Sequence, residues 1–185
     1  MPEGDTIWRT ADALRRALEG KVTLAVRLPR IVAPLPSVGQ LIERVGSHGK
    51  HLEIAWADGV VLHTHMMMTG SWHLYRPKER WRKPGTQMRA VIEVEDWVAV
   101  CFNAPVVETY RPGSGRPSPT AALGPDLCRA DADLDECVAR LVGYPDPAAP
   151  IGEVLLDQRV ACGVGNVYRA EVLFACGVNP FVRVT

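Results

Sequence analysis

The stretch Leu155-Leu156-Asp157-Gln158-Arg159-Val160-Ala161-Cys162-Gly163-Val164-Gly165-Asn166-Val167-Tyr168-Arg169-Ala170-Glu171 decides how the rest of the chain is read. A helical pattern over Ile151–Arg159 leads into the glycine-rich turn Ala161-Cys162-Gly163-Val164-Gly165, and a second helical pattern, Asn166–Cys176, leads out of it. Gly177 is placed to stop the second helix. Two helices about such a turn make a helix-turn-helix shape. Two readings of the turn stand level. Its glycines let backbone approach a ligand, and the N–H groups at the helix start favour an anion such as a DNA phosphate. Equally, it is a tight interhelix turn with Asn166 as N-cap.

Upstream, Leu134–Gly143 has helical spacing as well, so residues 126–185 read as a helical part. Residues 111–125, RPGSGRPSPTAALGP, suit neither helix nor ladder and mark a linker or long surface loop. Before them the pattern alternates. His51–Trp56, Asp58-Gly59 and Val60–His65 carry a hairpin signature, and Arg89–Val94, Glu95-Asp96 and Trp97–Phe102 carry another. Residues 5–19 read as a leading helix, with Asp5 or Thr6 as cap and Ile7, Ala11, Leu14 and Leu18 on one face. The expectation is an α+β chain: an N-terminal β-sandwich with a leading helix over 1–110, a linker over 111–125, and a helical domain from 126 to 185. Pro180 reads as a junction with more helix to follow, so the helical domain is expected to be incomplete in this chain.

The 185 residues balance 21 basic against 21 acidic side chains, which speaks against a whole-chain basic excess for nucleic acid. Distribution weakens that objection. Arg9, Arg15, Arg16, Lys21, Arg27 and Arg30 cluster early, and Arg76, Lys78, Arg80, Arg82, Lys83 and Arg89 cluster again, while Asp126, Asp131, Asp133, Asp135 and Glu136 gather elsewhere. A neutral sum can hide a basic face. Five cysteines with no C-x-x-C pair argue against a disulfide framework and against a metal site within the chain. No apolar leader or long apolar segment is present, so a soluble, unexported, cytoplasmic protein and no membrane partner are expected.

Three further segments can carry chemistry. Met1-Pro2-Glu3 is the first: removal of Met1 leaves Pro2 with a free secondary amine, which can attack a sugar C1′ and form an iminium ion. Glu3 beside it can shuttle protons. Lys50, in Ser47-His48-Gly49-Lys50-His51, heads a strand on the parity of Leu52, Ile54 and Trp56, where it can bind a phosphate or simply snorkel. In His65-Met66-Met67-Met68-Thr69-Gly70-Ser71, three consecutive methionines cannot all face one core, so at least one is exposed and free to wedge into a base stack. Taken singly, each of these has an ordinary structural explanation.

Taken together and in this order, the four segments resemble the formamidopyrimidine-DNA glycosylase and endonuclease VIII family, with Leu155–Pro180 matching its helix–two-turn–helix motif. The start Pro-Glu-Gly-Asp-Thr-Ile is closer to the endonuclease VIII branch, and Cys101–Glu108 lacks the Arg-Phe pair of the formamidopyrimidine branch. The resemblance implies a bifunctional glycosylase and abasic-site lyase that removes oxidised bases, pyrimidines favoured, from double-stranded DNA lying in the cleft between the domains, acting as a monomer. Pro2, Glu3 and Lys50 would be catalytic, the lysine holding a phosphate. Met67, Met68, Thr69, Gly165 and Asn166 would contact DNA, with Met68 as the main wedge. The resemblance implies no redox cofactor and no catalytic metal; zinc enters only through a C-terminal finger, for which this chain has no paired cysteines. Alternatives are a damage-binding protein without catalysis, an N-terminal-proline tautomerase, and a plain helix-turn-helix module.

Overall fold

The computed structural model describes residues 2–32, 34–115 and 117–184; Met1, whose removal the terminal-amine reading requires, lies outside the described residues. Helix α1 spans Gly4–Leu18. It is followed by β1 (Ala25–Arg27), β2 (Ile42–His48), β3 (His51–Trp56), β4 (Val61–His65), β5 (Ser71–Tyr75), β6 (Met88–Glu93), β7 (Val98–Phe102) and β8 (Val106–Tyr110). The strands form two antiparallel sheets, ordered β1-β6-β7-β5 and β2-β3-β4-β8.

Strand period dictates how the sheets stack. Leu52, Ile54 and Trp56 of β3 and Leu62 of β4 meet Trp72, Ala90, Ile92, Ala99 and Cys101 of the other sheet, and α1 lays Ile7, Ala11, Leu14 and Leu18 on the same core. Each aliphatic side chain so buried contributes about 1.5–3 kcal/mol before entropy is counted. Strand β7 is buried at every position, because Val98, Val100 and Phe102 also pack on the reverse face against Tyr75 and Val91, under Trp81 of the β5–β6 connection and Met88 at the start of β6. The outer face of the second sheet is polar instead. There the Tyr110 hydroxyl donates to Glu53 Oε1 at 2.7 Å and pairs with Ser118 at 3.2 Å, so the proline- and glycine-rich stretch returns to the sandwich.

The helical part comprises α2 (Leu134–Val142), α3 (Ile151–Val154) and α4 (Asn166–Ala175). Three expectations change here. Helix α3 stops at Val154 instead of running to Arg159, since Leu156, Asp157 and Val160 donate to carbonyls three residues back and the Asp157 carboxylate accepts the Arg159 N–H; such side-chain bonds compete with helix propagation. Helix α1 is capped at Glu3 rather than by Asp5 or Thr6, and α4 has Gly165, not Asn166, at its N-cap. Gly177 does follow α4 with a φ of 65°, the left-handed conformation that ends helices. No described helix is long and apolar enough to cross a membrane.

Candidate active site

The site is built on a contact between the start of the chain and the start of α4. The first N–H groups of a helix have no partner within it, and their dipoles sum to a positive end. Here they are met by Glu3, which is only 3 % exposed. Its Oε2 accepts from Gly165 N–H at 3.0 Å and Tyr168 N–H at 3.2 Å, and its Oε1 accepts from Val167 N–H at 2.8 Å. Gly4 N–H donates to Gly163 O at 2.9 Å, stitching the same two segments once more. Glycine is required at the centre of this junction. A Cβ on Gly165 would stand 2.5 Å from Glu3 Cδ, and one on Gly4 would stand 2.8 Å from Gly163 Cα.

Lys50 joins from the turn between β2 and β3. Its ammonium donates to Val164 O at 2.6 Å. The same carbonyl accepts from Gln158 Nε2 at 2.9 Å, and Gln158 Oε1 accepts the Gly163 N–H at 3.0 Å, so one glutamine holds the whole turn in shape. Partial burial pulls the Lys50 pKa down, and the negative charge of Glu3 partly offsets that. The residue before it is fixed from the other domain: Gly49, with φ at 58°, donates its N–H to Asp126 Oδ2 at 3.0 Å. Asp126 is itself buried, and its other oxygen accepts Cys128 N–H at 3.0 Å.

The methionine run leaves the same edge of the second sheet, because His65, at the end of β4, pairs with His51, the residue after Lys50. Met66 turns into the core; Met68 is 75 % exposed. Met67 sits between them with a φ of 44°, strained for a residue with a Cβ. Bonds on both sides hold it there: Met67 N–H donates to His65 Nδ1 at 3.2 Å and Gly70 N–H to Met66 O at 2.8 Å. Thr69 Oγ1 donates to Asn103 O at 3.0 Å, anchoring the loop to the β7–β8 turn.

The structure thus brings Pro2, Glu3, Lys50, Gly165 and Asn166 to one junction, with Met67, Met68 and Thr69 on the loop beside it. It also corrects one expectation. The Gly165 amide, read as a phosphate donor, is engaged by Glu3, which leaves exposed Asn166, at the first position of α4, as the group facing out. Sequence reasoning missed Gln158, Asp126 and a hydrogen-bonded chain from His51 Nδ1 to His63 Nε2 at 2.8 Å and from His63 Nδ1 to Glu108 Oε1 at 3.1 Å. Burial, then the neighbouring imidazoles, push the His51 pKa down to about 3, so it stays neutral at physiological pH. Alternating spacing of His63 and His65 with His51 opposite is the one signal that could have suggested the chain. Nothing in the sequence ties Asp126 to Gly49, 77 residues away.

Two family models match this architecture. Residues 1–105 match the formamidopyrimidine-DNA glycosylase N-terminal domain, and residues 123–184 match the formamidopyrimidine-DNA glycosylase H2TH domain. The chain belongs to the formamidopyrimidine-DNA glycosylase family. Among family members, a Streptomyces coelicolor protein named "Probable endonuclease 8 2" is 37 % identical over all of this chain, which spans 66 % of that protein. A Mycolicibacterium smegmatis protein named "DNA-(apurinic or apyrimidinic site) lyase Nei2" is 38 % identical over 97 % of this chain and 69 % of its own length. The chain therefore spans about two thirds of the curated relatives it matches. The fold is that of Lactococcus lactis formamidopyrimidine-DNA glycosylase bound to abasic-site DNA, with a TM-score of 0.76, 20 % identity, and coverage of 99 % of this chain and 70 % of that one. In family terms the Glu3–α4 contact joins the N-terminal domain to the H2TH domain.

Proposed function

We propose that this chain carries the catalytic centre of a base-excision DNA glycosylase with abasic-site lyase activity, acting on oxidised bases, pyrimidines favoured, in double-stranded DNA. The observation that carries the proposal is the anchoring of Glu3 by three backbone N–H groups at the start of α4, which fixes the residue after Pro2 at the contact between the sandwich and the helical part. Once Met1 is removed, the Pro2 nitrogen attacks C1′ of the damaged nucleotide, and the base leaves as the C1′–N bond breaks. The Pro2 nitrogen passes its proton to Glu3, and its lone pair then expels O4′ from C1′ as Glu3 returns the proton to that oxygen; the sugar ring opens and the C1′ iminium forms. Loss of a C2′ proton to solvent then gives an enamine whose electron pair expels the 3′ phosphate. Lys50 keeps two ammonium hydrogens for a phosphate after its bond to Val164, and Asn166 supplies a second phosphate contact. Met68, with Met67 and Thr69 beside it, fills the gap left by the extruded base. This chemistry draws on no redox cofactor and no catalytic metal. Relatives named endonuclease 8 and abasic-site lyase support the reading, as does the DNA complex of the Lactococcus enzyme. A monomer in the bacterial cytoplasm fits it.

The test is borohydride trapping on DNA with an abasic site. A covalent adduct is expected with the Met1-processed chain and is expected to vanish when an N-terminal extension turns the Pro2 nitrogen into an amide. An adduct that survives this block would move the nucleophile elsewhere, Lys50 being the first candidate.

Two more outcomes follow from the geometry. Since burial lowers the Lys50 pKa, its charge is present at neutral pH and is lost as pH rises, before the ordinary lysine value of about 10.4 is reached. Binding to duplex DNA should fall steeply with salt, and the slope of log K against log salt should shrink by about 0.9 as pH is raised through that range. Lys50→Met should show the smaller slope already at pH 7; a slope unchanged by both would remove Lys50 from the phosphate contacts. Met68→Ala, at an exposed position with no packing to lose, should leave stability within about 0.5 kcal/mol and slow lesion processing more than it weakens general DNA binding. Equal loss of both, measured by gel shift and single-turnover excision, would contradict the wedge.

A further inference from the structure

Directly behind the Lys50 turn, three side chains from three separate segments converge. His48 comes from the end of β2, Asp126 from the segment entering the helical part, and Cys162 from the turn before α4. One donor atom from each lies within 4.8 Å of the others. Asp126 and Cys162 are buried, and His48 is partly exposed, which leaves an approach from solvent on its side. The Asp126 carboxylate is 2 % exposed, yet it is met only by N–H groups and by the Cys128 thiol; no ion pair reaches it among the described residues. A buried carboxylate without a cation is an expensive arrangement.

We propose that His48, Asp126 and Cys162 form a structural binding site for a divalent transition-metal ion, zinc being the best fit, that clasps the two domains together beneath Lys50. The donor set selects the metal. Imidazole, carboxylate and thiolate suit zinc, cobalt and ferrous iron, and the sulfur disfavours magnesium and calcium. One carboxylate and one thiolate balance the two positive charges, so the ion is buried at no net charge and the thiol proton goes to solvent. Tetrahedral zinc at about 2.0–2.3 Å from its ligands places donor atoms roughly 3.3–3.8 Å apart. The cluster therefore needs to contract by about 1 Å. Each Asp126 oxygen has a second lone pair to offer while keeping its N–H donor. A solvent molecule entering on the partly exposed His48 side can take the fourth position.

Chain spacing hides this site. The three residues are 78 and 36 positions apart along the chain, far from any C-x-x-C or H-x-x-H signature, so the expectation of no metal within the chain is the one this inference overturns. The role is structural, separate from the proline chemistry, and the two stand or fall independently.

Cobalt(II) titration of the chelator-treated chain tests it. One equivalent should bind with a thiolate-to-cobalt charge-transfer band in the near ultraviolet and raise Tm. Cys162→Ser and His48→Gln should each remove the band and weaken binding by more than about tenfold, a loss that even outer-sphere changes can cause. Cys176→Ser, at the exposed cysteine outside the cluster, should leave both unchanged. No band in the parent chain, or a band that persists in Cys162→Ser or disappears in Cys176→Ser, overturns the proposal. Because Cys162→Ser is nearly isosteric, a far-ultraviolet circular dichroism spectrum matching the parent separates loss of the metal from loss of the fold.

Discussion

Replacing Glu3 by glutamine should lower base release from a lesion-containing duplex by about 10²–10⁴-fold, the range expected when a positioned proton-transfer group is removed. Two effects act together. The amide cannot take a proton, and it also fits the cradle badly. Both carboxylate oxygens of Glu3 accept N–H groups, Oε2 two and Oε1 one. A side-chain amide offers one oxygen, so either orientation turns an NH2 against at least one backbone N–H. The readout that separates the effects is trapping on DNA that already contains an abasic site. No base has to leave there, so the loss should stay under about tenfold if Glu3 serves chiefly base departure. A comparable fall in both assays would mean that Glu3 mainly holds the α4 junction, and that the proton comes from elsewhere.

Gly165→Ala is expected to be nearly as damaging, at a position no chemist would call reactive. The new methyl group would stand 2.5 Å from both Glu3 Cδ and Oε1. No real Cβ contact is that short, so either Glu3 or the first turn of α4 must move. Moving Glu3 by even an ångström displaces the residue after Pro2, the nucleophile of the proposed function, and misplacement on that scale costs about a hundredfold in rate. The expected result is a drop of that order in both base release and trapping, with a folded protein by circular dichroism. A Gly165→Ala protein that retains more than about half of the parent rate would show that the cleft tolerates a shift, and would weaken the case that Glu3 geometry is decisive.

The sequence carried the gross plan because its signals were local. The hairpins at residues 51–65 and 89–102 depend on period-2 alternation about a turn, and α2 and α4 depend on period 3.6; the structure shows these elements within one or two residues of the expected bounds. It was less legible wherever a side chain overrode propensity. Asp157 took over the backbone beyond Val154 and shortened α3. Glu3, from the far end of the chain, became the partner of α4's first N–H groups, the role that local reasoning gave to Asn166 and to a phosphate. Asp126 was invisible for the same reason: its partner Gly49 is fixed by domain packing, and no spacing rule reports on contacts across 77 positions. Pro2, Lys50 and Met68 were singled out only through their joint resemblance to a family, since each alone has an ordinary explanation.

The bond from Gly165 to Glu3 spans 162 positions, and that separation sets an order of events during synthesis. The N-terminus leaves the ribosome first, but its cradle is made last. At about 5–20 residues per second the interval is roughly 8–30 s. During it Pro2 and Glu3 are undocked, and Met1 remains accessible to the peptidase that removes it. On the function proposed above, the amine is thus unmasked while it is still harmless, and it gains the Glu3 cradle and Lys50 only when both domains exist. On that function, reactivity would be switched on by completion of the fold.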